Sequence, residues 1–454
     1  MNLSAFKTYD VRGLYPDEVD EELAFKIGKS SVKYLNAKTI AVGRDMRLSS
    51  PSLHKYLLAG ITSENCKVLD IGMCTTPMLN FAVASKNLDG GIMISASHNP
   101  KEYNAFKIIN GDAIQLYGEG GLNKIKLLVK KLKEFDKNIE PNESKVEVVD
   151  VLNNYINHIF SISKVKGRLN VVVDCGNGVG GISAKAYFDK LQGSGMVEFL
   201  YLEPDGTFPN HNADPHHLEN LTDLQIDVKN TKSDFGAFFD GDADRCYIVD
   251  EKGKVVLADI LFCILVDYEL NNYNYSNKTI YNDLRFSKVI NDVANKNGTN
   301  AVTVRVGNPF YKEALKTRGG SMAGEFSGHI MYSKNYNIDD GLLVMVKVME
   351  VLEHSGKDLS QLVKRYTQYA SSKEISIKVP SMQIAKKIMK KIKNKYNDGE
   401  SKDIDGVYIA YPSWWFNLRK SNTEPVVRLR LEADNQQTLD EKKKDLLKVI
   451  NSYV

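Results

Sequence analysis

Short, nearly continuous apolar runs recur along this chain, and each ends abruptly at glycines, hydroxyls or carboxylates. Residues 170–174 run into Gly176-Asn177-Gly178-Val179-Gly180-Gly181, and residues 235–239 end at Asp240. Residues 92–94 end in Ser95-Ala96-Ser97-His98-Asn99-Pro100, where Pro100 blocks a simple continuation. A strand that is apolar on both faces belongs in a parallel sheet covered on both sides by helices. Helix-like stretches do separate these runs. The chain is therefore predicted to build open α/β sheets, which place ligands at the carboxyl ends of their strands. Ser97 is then the candidate for the residue that carries chemistry, although a serine after a strand commonly caps a helix or forms a turn.

The alternation continues along most of the sequence. Residues 39–42 lead into Gly43-Arg44-Asp45 and a helix over about 52–65; residues 67–71 form the next strand. A lysine-rich helix over 122–135 precedes a linker at 136–145. Later come a strand at 198–202, a helix near 257–271, strands at 279–282 and 301–305, and a helix near 340–354. From about Ala370 the pattern changes. A strand at 374–379, a basic helix at 384–396, strands at 406–411 and 426–432 and a closing helix at 439–452 read as α+β. The predicted architecture is three tandem doubly wound α/β domains, 1–147, 148–252 and 253–369, plus a C-terminal α+β domain, 370–454, with an antiparallel sheet. A length of 454 residues suits several domains.

Composition narrows the function classes. With 60 basic and 57 acidic residues the net charge is +3, too balanced to argue for nucleic acid or an anionic membrane surface. Five cysteines without CxxC spacing read as free thiols of a reducing compartment, with no zinc site. Residues 1–13 lack the apolar core of a signal peptide, and no apolar run approaches the roughly 20 residues of a membrane span. These features point to a cytoplasmic protein, expected to be a monomer or weak dimer.

Asp240-Gly241-Asp242-Ala243-Asp244-Arg245 sets three carboxylates at alternate positions, able to converge on one side of an extended segment. Three charged oxygen ligands suit a hard divalent cation, Mg²⁺ before Ca²⁺. An EF-hand is excluded, because Arg245 and Glu251 stand at positions 6 and 12 of such a loop. Mg²⁺ usually completes its shell with water and phosphate, so the site asks for a phosphate partner. Gly324-Glu325-Phe326-Ser327-Gly328-His329 offers a carboxylate, a hydroxyl and an imidazole at alternate positions, able to grip hydroxyls and to titrate near neutrality. Arg419-Lys420-Ser421-Asn422-Thr423-Glu424-Pro425, followed by Arg428 and Arg430, presents hydroxyls, backbone N–H groups and guanidinium forks suited to phosphate. A structural turn explains either of the last two segments about as well. Gly176-x-Gly178-x-x-Gly181, with Glu203 about 20 residues on, matches a dinucleotide fingerprint. A tight strand–helix turn needs glycine with or without a nucleotide.

Taken together and in order, Ser95 to Pro100, Asp240 to Arg245, Gly324 to His329 and Arg419 to Pro425 resemble the α-D-phosphohexomutase family. Further matches are Phe6-Lys7-Thr8-Tyr9-Asp10-Val11-Arg12-Gly13, Gly43-Arg44-Asp45, Tyr103-Asn104-Ala105-Phe106-Lys107 and Asp205-Gly206-Thr207-Phe208-Pro209. The resemblance implies four domains around a central cleft, each giving one loop. It implies a Ser97 that is phosphorylated at rest, and Mg²⁺ held by Asp240, Asp242, Asp244 and the Ser97 phosphate. Glu325 and Ser327 would hold sugar hydroxyls, with Arg285 and Asn308 on the same sugar-binding side. Arg419, Ser421, Asn422, Thr423 and Arg430 would hold the phosphate that is not reacting, while Tyr9, Arg12, Lys107, Arg245 and His329 would surround the reacting phosphoryl group. The implied activity interconverts hexose 1-phosphate and hexose 6-phosphate (mannose, glucose or both) through a 1,6-bisphosphate, with glucose or mannose 1,6-bisphosphate as activator.

Four positions depart from the family pattern. Ala105 and Ala243 replace common glycines, Asn308 stands where histidine is frequent, and Arg285 stands where lysine is frequent. The last two leave hexose preference open. Glu325-Phe326-Ser327 favours phosphomannose and phosphoglucose over phosphoglucosamine, whose mutases usually carry glutamine within that loop. A phosphoglucosamine mutase, a nucleotide-binding oxidoreductase built on the Gly176 turn, and a sugar-phosphate sensor without turnover are the alternatives.

Overall fold

The computed structural model describes residues 3–133, 135–215, 217–420 and 425–453. Four sheets follow one another along the chain. The first has six strands in the order Val11–Leu14, Tyr103–Asn110, Gly90–Ile94, Thr39–Arg44, Lys67–Met73 and Val146–Val148. The second runs Val255–Val256, Cys246–Asp250, Phe235–Phe239, Val171–Asp174 and Val197–Leu200. In the third the order is Ala301–Thr303, Ile280–Asn282, Met322–Gly324, Ile330–Tyr332 and Ile338–Asp339. The last sheet, built on Trp414–Lys420 and Val426–Ala433, is antiparallel throughout.

The first three sheets are mixed. The fully buried strands Gly90–Ile94, Val171–Asp174 and Phe235–Phe239 do pair in parallel with a neighbour, as their continuous apolar character predicts. Each sheet also carries an antiparallel partner that the alternation of runs and helices does not reveal. Ile94 pairs with Phe106, Phe239 with Cys246, Gly324 with Ile330 and Lys420 with Val427, all antiparallel. Every one of the four chemically rich segments therefore connects two antiparallel neighbours. Strand Trp414–Lys420 is a further addition, since only two strands were expected between the basic helix and the closing one. The helix predicted over 122–135 is shorter, Asn123–Lys131, and the linker after it leads into the edge strand Val146–Val148.

One apolar core runs continuously through the first three units, from Ala41 and Met93 through Val173 and Phe239 to Leu343 and Leu362. The C-terminal unit has its own core around Ile388, Phe416, Leu429 and Leu446. All five cysteines are buried and free. Among the described residues, no helix is long and apolar enough to cross a membrane.

Candidate active site

The four loops line one cleft of about 990 Å³. Ser97 sits three residues past the end of strand Gly90–Ile94, 3 % exposed, with a left-handed φ of 52°. Its Oγ donates to Asp240 Oδ2 at 2.7 Å and accepts from Arg245 Nη2 at 3.1 Å. His98 Nδ1 lies 3.2 Å from the same oxygen, but it also faces Arg245 Nη2 at 2.6 Å. A guanidinium only donates, so the Nδ1 lone pair points at Arg245 and His98 is no base for Ser97. The Ser97 carbonyl is pressed against Gly241, where an added Cβ would lie 2.4 Å from that oxygen. Only a glycine lets the second loop approach the first this closely.

A buried arginine sets the shape of the serine loop. Arg47 is fully buried and donates to the carbonyls of Ser97 (2.9 Å), Asn99 (2.5 Å), Pro100 (2.6 Å) and Tyr103 (2.9 Å), with Asp45 at 3.2 Å as its counter-ion. Arg12 holds the same loop from the cleft side. It donates to the Ala96 carbonyl at 2.9 Å and to Asn99 Oδ1, and pairs with Asp10 at 2.7 Å. Sequence reasoning stopped one turn short of Arg47: Gly43-Arg44-Asp45 stood out, but nothing in sequence separates a buried arginine from a solvated one.

Asp240, Asp242 and Asp244 form the tip of the hairpin between Phe235–Phe239 and Cys246–Asp250, and their ligand oxygens lie within 4.8 Å of one another. All three are buried. Burial pushes Asp240 up to about 7, with Asp242 and Asp244 adding to the rise and Arg245 opposing it. Burial also works against ionised Asp244, but Lys107, His329 and Arg245 hold it well below the usual carboxylate range. Asp242 takes Thr76 Oγ1 and Lys107 Nζ on one oxygen, both at 2.5 Å. Its other oxygen, Oδ1, is buried without a hydrogen-bond partner among the described residues. A dense all-oxygen set with an orphaned carboxylate oxygen fits a hard divalent cation.

Lys107 reaches this cluster because strand Tyr103–Asn110 places it opposite Met93, beside the serine strand. It also bonds Asp244 at 2.7 Å. Burial alone would lower the Lys107 pKa, yet the two aspartates raise it, so the ammonium stays charged. Arg245 is likewise held charged by Asp240 and Asp244 against the cost of burial. His329 lies 3.4 Å from Asp244 through Nε2 and 3.2 Å from Glu325 through Nδ1, with Ser327 Oγ at 2.9 Å. Burial opposes its charge, but Asp244 and Glu325 raise the imidazole to about 10. Glu325 is lowered in turn: burial pushes it up, and His329 and Arg285 outweigh that.

Tyr9, Arg285, Asn308, Arg419 and Arg430 also line this cleft. Tyr9 donates to the Val306 carbonyl at 2.9 Å, tying the first unit to the third. Arg285 is clamped by Asp283 at 2.7 and 3.0 Å and lies 3.5 Å from Glu325. Asn308 donates to Asp339, whose other oxygen pairs with Lys312 at 2.6 Å. Arg419 faces the cleft, while Arg430 is 1 % exposed and bonds Asp259 of the third unit at 2.6 Å. Ser421, Asn422 and Thr423 lie outside the described residues. Asp283, Asp339 and Lys312 were missed in sequence, where charged residues outside any of the four segments resemble surface residues.

The glycine turn after Val171–Asp174 is occupied by protein. A Cβ at Gly178 would lie 2.8 Å from the Gly241 carbonyl, so this turn supports the aspartate loop. Packing accounts for that glycine without a nucleotide.

Comparison with known proteins agrees with this layout. The phosphoglucomutase/phosphomannomutase alpha/beta/alpha domains I, II and III match residues 3–135, 153–253 and 258–369, and the C-terminal domain of the same family matches 374–449. A phosphomannomutase of Methanocaldococcus jannaschii is 35 % identical over 455 residues, covering 99 % of this chain and 98 % of that one. A phosphomannomutase/phosphoglucomutase of Pseudomonas aeruginosa is 33 % identical over 460 residues, covering 99 % and 96 %. Among solved structures, a family protein from Burkholderia thailandensis superposes with a TM-score of 0.87 at 30 % identity, covering 100 % of this chain and 98 % of that one. Four domains in family order, the mixed sheets and full-length relatives together establish that the chain belongs to the phosphoglucomutase/phosphomannomutase family.

Proposed function

We propose that this protein is a phosphohexomutase that interconverts the 1- and 6-phosphates of mannose, glucose or both. It works through a phosphorylated Ser97 and a hexose 1,6-bisphosphate, with units 1–147, 148–252, 253–369 and 370–454 each giving one loop to the cleft. The observation that carries the reading is the hydroxyl of Ser97, 2.7 Å from Asp240 amid three buried carboxylates, Arg245 and Lys107 on the wall of a large cleft. The relatives' names agree with it.

Asp240, Asp242 and Asp244 would hold Mg²⁺, which supplies Lewis-acid neutralisation of phosphoryl oxygens. Phosphoryl transfer asks mainly for positioning and charge stabilisation. Arg12, Lys107 and Arg245 supply fixed positive charge in a water-poor site, where it acts strongly. In the first half-reaction the P–Oγ bond of phosphoserine breaks and a bond from phosphorus to a sugar oxygen forms. The sugar hydroxyl loses its proton and Ser97 Oγ gains one, so the step is proton-neutral. The bisphosphate turns within the cleft, and its other phosphate returns to Ser97. His329, charged at rest, enters as the acid in this proton traffic. Glu325, Ser327, Arg285 and Asn308 hold the sugar. Arg419 and Arg430, with Ser421, Asn422 and Thr423, grip the idle phosphate. The buried free thiols suit work in the cytoplasm.

The test is turnover of mannose 1-phosphate, glucose 1-phosphate and glucosamine 1-phosphate side by side, with glucose 1,6-bisphosphate present as activator. Mannose or glucose phosphate is expected to turn over fastest; preference for glucosamine 1-phosphate would overturn the assignment. Ser97→Ala is expected to abolish turnover, and full activity in that variant would remove Ser97 from the mechanism.

A further inference from the structure

Arginines crowd the cleft wall formed by the C-terminal unit. Arg419 and Arg428 stand directly opposite each other on paired strands, a like-charge cross-strand pair that is destabilising by itself. Arg285 approaches from the third unit. Between them sits Glu374, just before strand Ile375–Lys378 and on the cleft lining. Its Oε2 lies 3.5 Å from Arg419 Nη2 and 4.0 Å from Arg285 Nη1, while Oε1 lies 3.8 Å from Arg428 Nη1. Charge-assisted pairs that are locked together close to about 2.7–2.9 Å. Glu374 touches none of its three partners that closely, so it balances their charge without using up their donors. Arg419 Nε, Arg428 Nε and both Nε and Nη1 of the buried Arg430 have no hydrogen-bond partner among the described residues. Arg419 has one other acid near it, Asp405 at 3.7 Å.

We propose that Glu374 is the resident counter-anion of the phosphate subsite. While the subsite is empty, its carboxylate neutralises Arg419 and Arg428; Arg285, 4.0 Å away, already has Asp283 as its close partner. An entering sugar phosphate, carrying up to two negative charges, displaces it and takes over the guanidinium donors. When the phosphate leaves, the carboxylate returns. Competition of this kind lets the subsite bind either phosphate of the bisphosphate and still release it, as a reaction that must turn its intermediate around requires. The proposal rests on the mutase reading above, which places the idle phosphate against this unit.

The test compares Glu374→Gln and Glu374→Asp in the full chain, each in a Ser97→Ala background that binds without turnover. Glucose 1-phosphate is titrated at low salt. Removing one negative charge at about 4 Å is expected to tighten binding about tenfold in the Gln variant, while Asp, which keeps the charge, stays within about threefold of the parent. With Ser97 present, the Gln variant is expected to show lower KM and lower kcat together, since release slows. Unchanged or weaker binding in the Gln variant overturns the proposal, and so does an Asp variant that behaves like Gln, because shape would then be the cause. If the Ser97→Ala parent itself shows no saturable binding, the phosphate-subsite reading fails and takes the proposal with it.

Discussion

Asp242 shows how much of the site depends on single oxygens. One of its carboxylate oxygens is satisfied by Thr76 and Lys107, and the other, in a buried cluster, has no hydrogen-bond partner among the described residues. Asp242→Asn removes the charge and keeps the shape, so divalent metal affinity measured by calorimetry should fall at least about tenfold. Unchanged affinity would take Asp242 out of the ligand set. Asp340, the N-cap of helix Gly341–Ser355, gives a pH signature away from the chemistry. It accepts from Tyr155, Asn335 and the Leu343 N–H, yet burial raises its pKa to about 6. Below about pH 4 it is protonated whether the chain is folded or not. Between about 4 and 6 the folded form still holds its proton while the unfolded form has lost it, so stability falls as pH rises and levels off above the folded pKa. The stability of the native chain relative to Asp340→Asn should therefore fall by up to about 3 kcal/mol from pH 4 to pH 7. A flat difference in denaturant unfolding across that range would contradict the raised pKa.

Elements place these residues by a shared device: each of the first three loops joins antiparallel neighbours and brings side chains to the cleft. Gly241 at the aspartate hairpin is a tight joint between the first two loops, and its φ lies outside the left-handed region. Gly241→Ala should thus act through the 2.4 Å contact with the Ser97 carbonyl. Overpacking of this kind costs about 1–3 kcal/mol, and the displaced serine should lower kcat about 10²-fold. A native kcat would show that the two loops need not touch. At this scale sequence patterning was least informative. Trp414–Lys420 was missed because Trp414 to Leu418 are buried on both faces, Trp415 stacking on Tyr408 and donating to Glu432. Such a strand shows no alternation. Tyr103–Asn110 is hidden the same way, with six buried residues in succession, Lys107 among them.

At the scale of the whole molecule, one core runs through the first three units, the first unit adds a second of its own, and the fourth has a separate core. The buried ion pair of Arg430 with Asp259 joins the fourth unit to the third at 2.6 Å. Removing one partner of a buried pair strands the other charge, so Asp259→Asn should cost about 3 kcal/mol. Hydrogen exchange should rise first in the C-terminal sheet, because that unit loses its most buried ionic tie to the third unit and keeps its core. Uniform exchange across all four sheets would place the loss elsewhere.

Sequence alone determined the fold class and the identity of the chemical groups. Both are written locally: continuous apolar runs demand covered sheets, and alternate aspartates after a buried strand demand a cation. Four separated segments in family order carried the rest. Tertiary structure decided which residues serve the same oxygen. Arg47, Thr76 and Glu374 lie far apart in sequence from the groups they hold or balance, and strand register and loop contact bring them together. It also decided charge state: His329 and Lys107 are held protonated by aspartates that reach them only across the cleft. Burial and distance set those energies, and neither exists until the chain has folded.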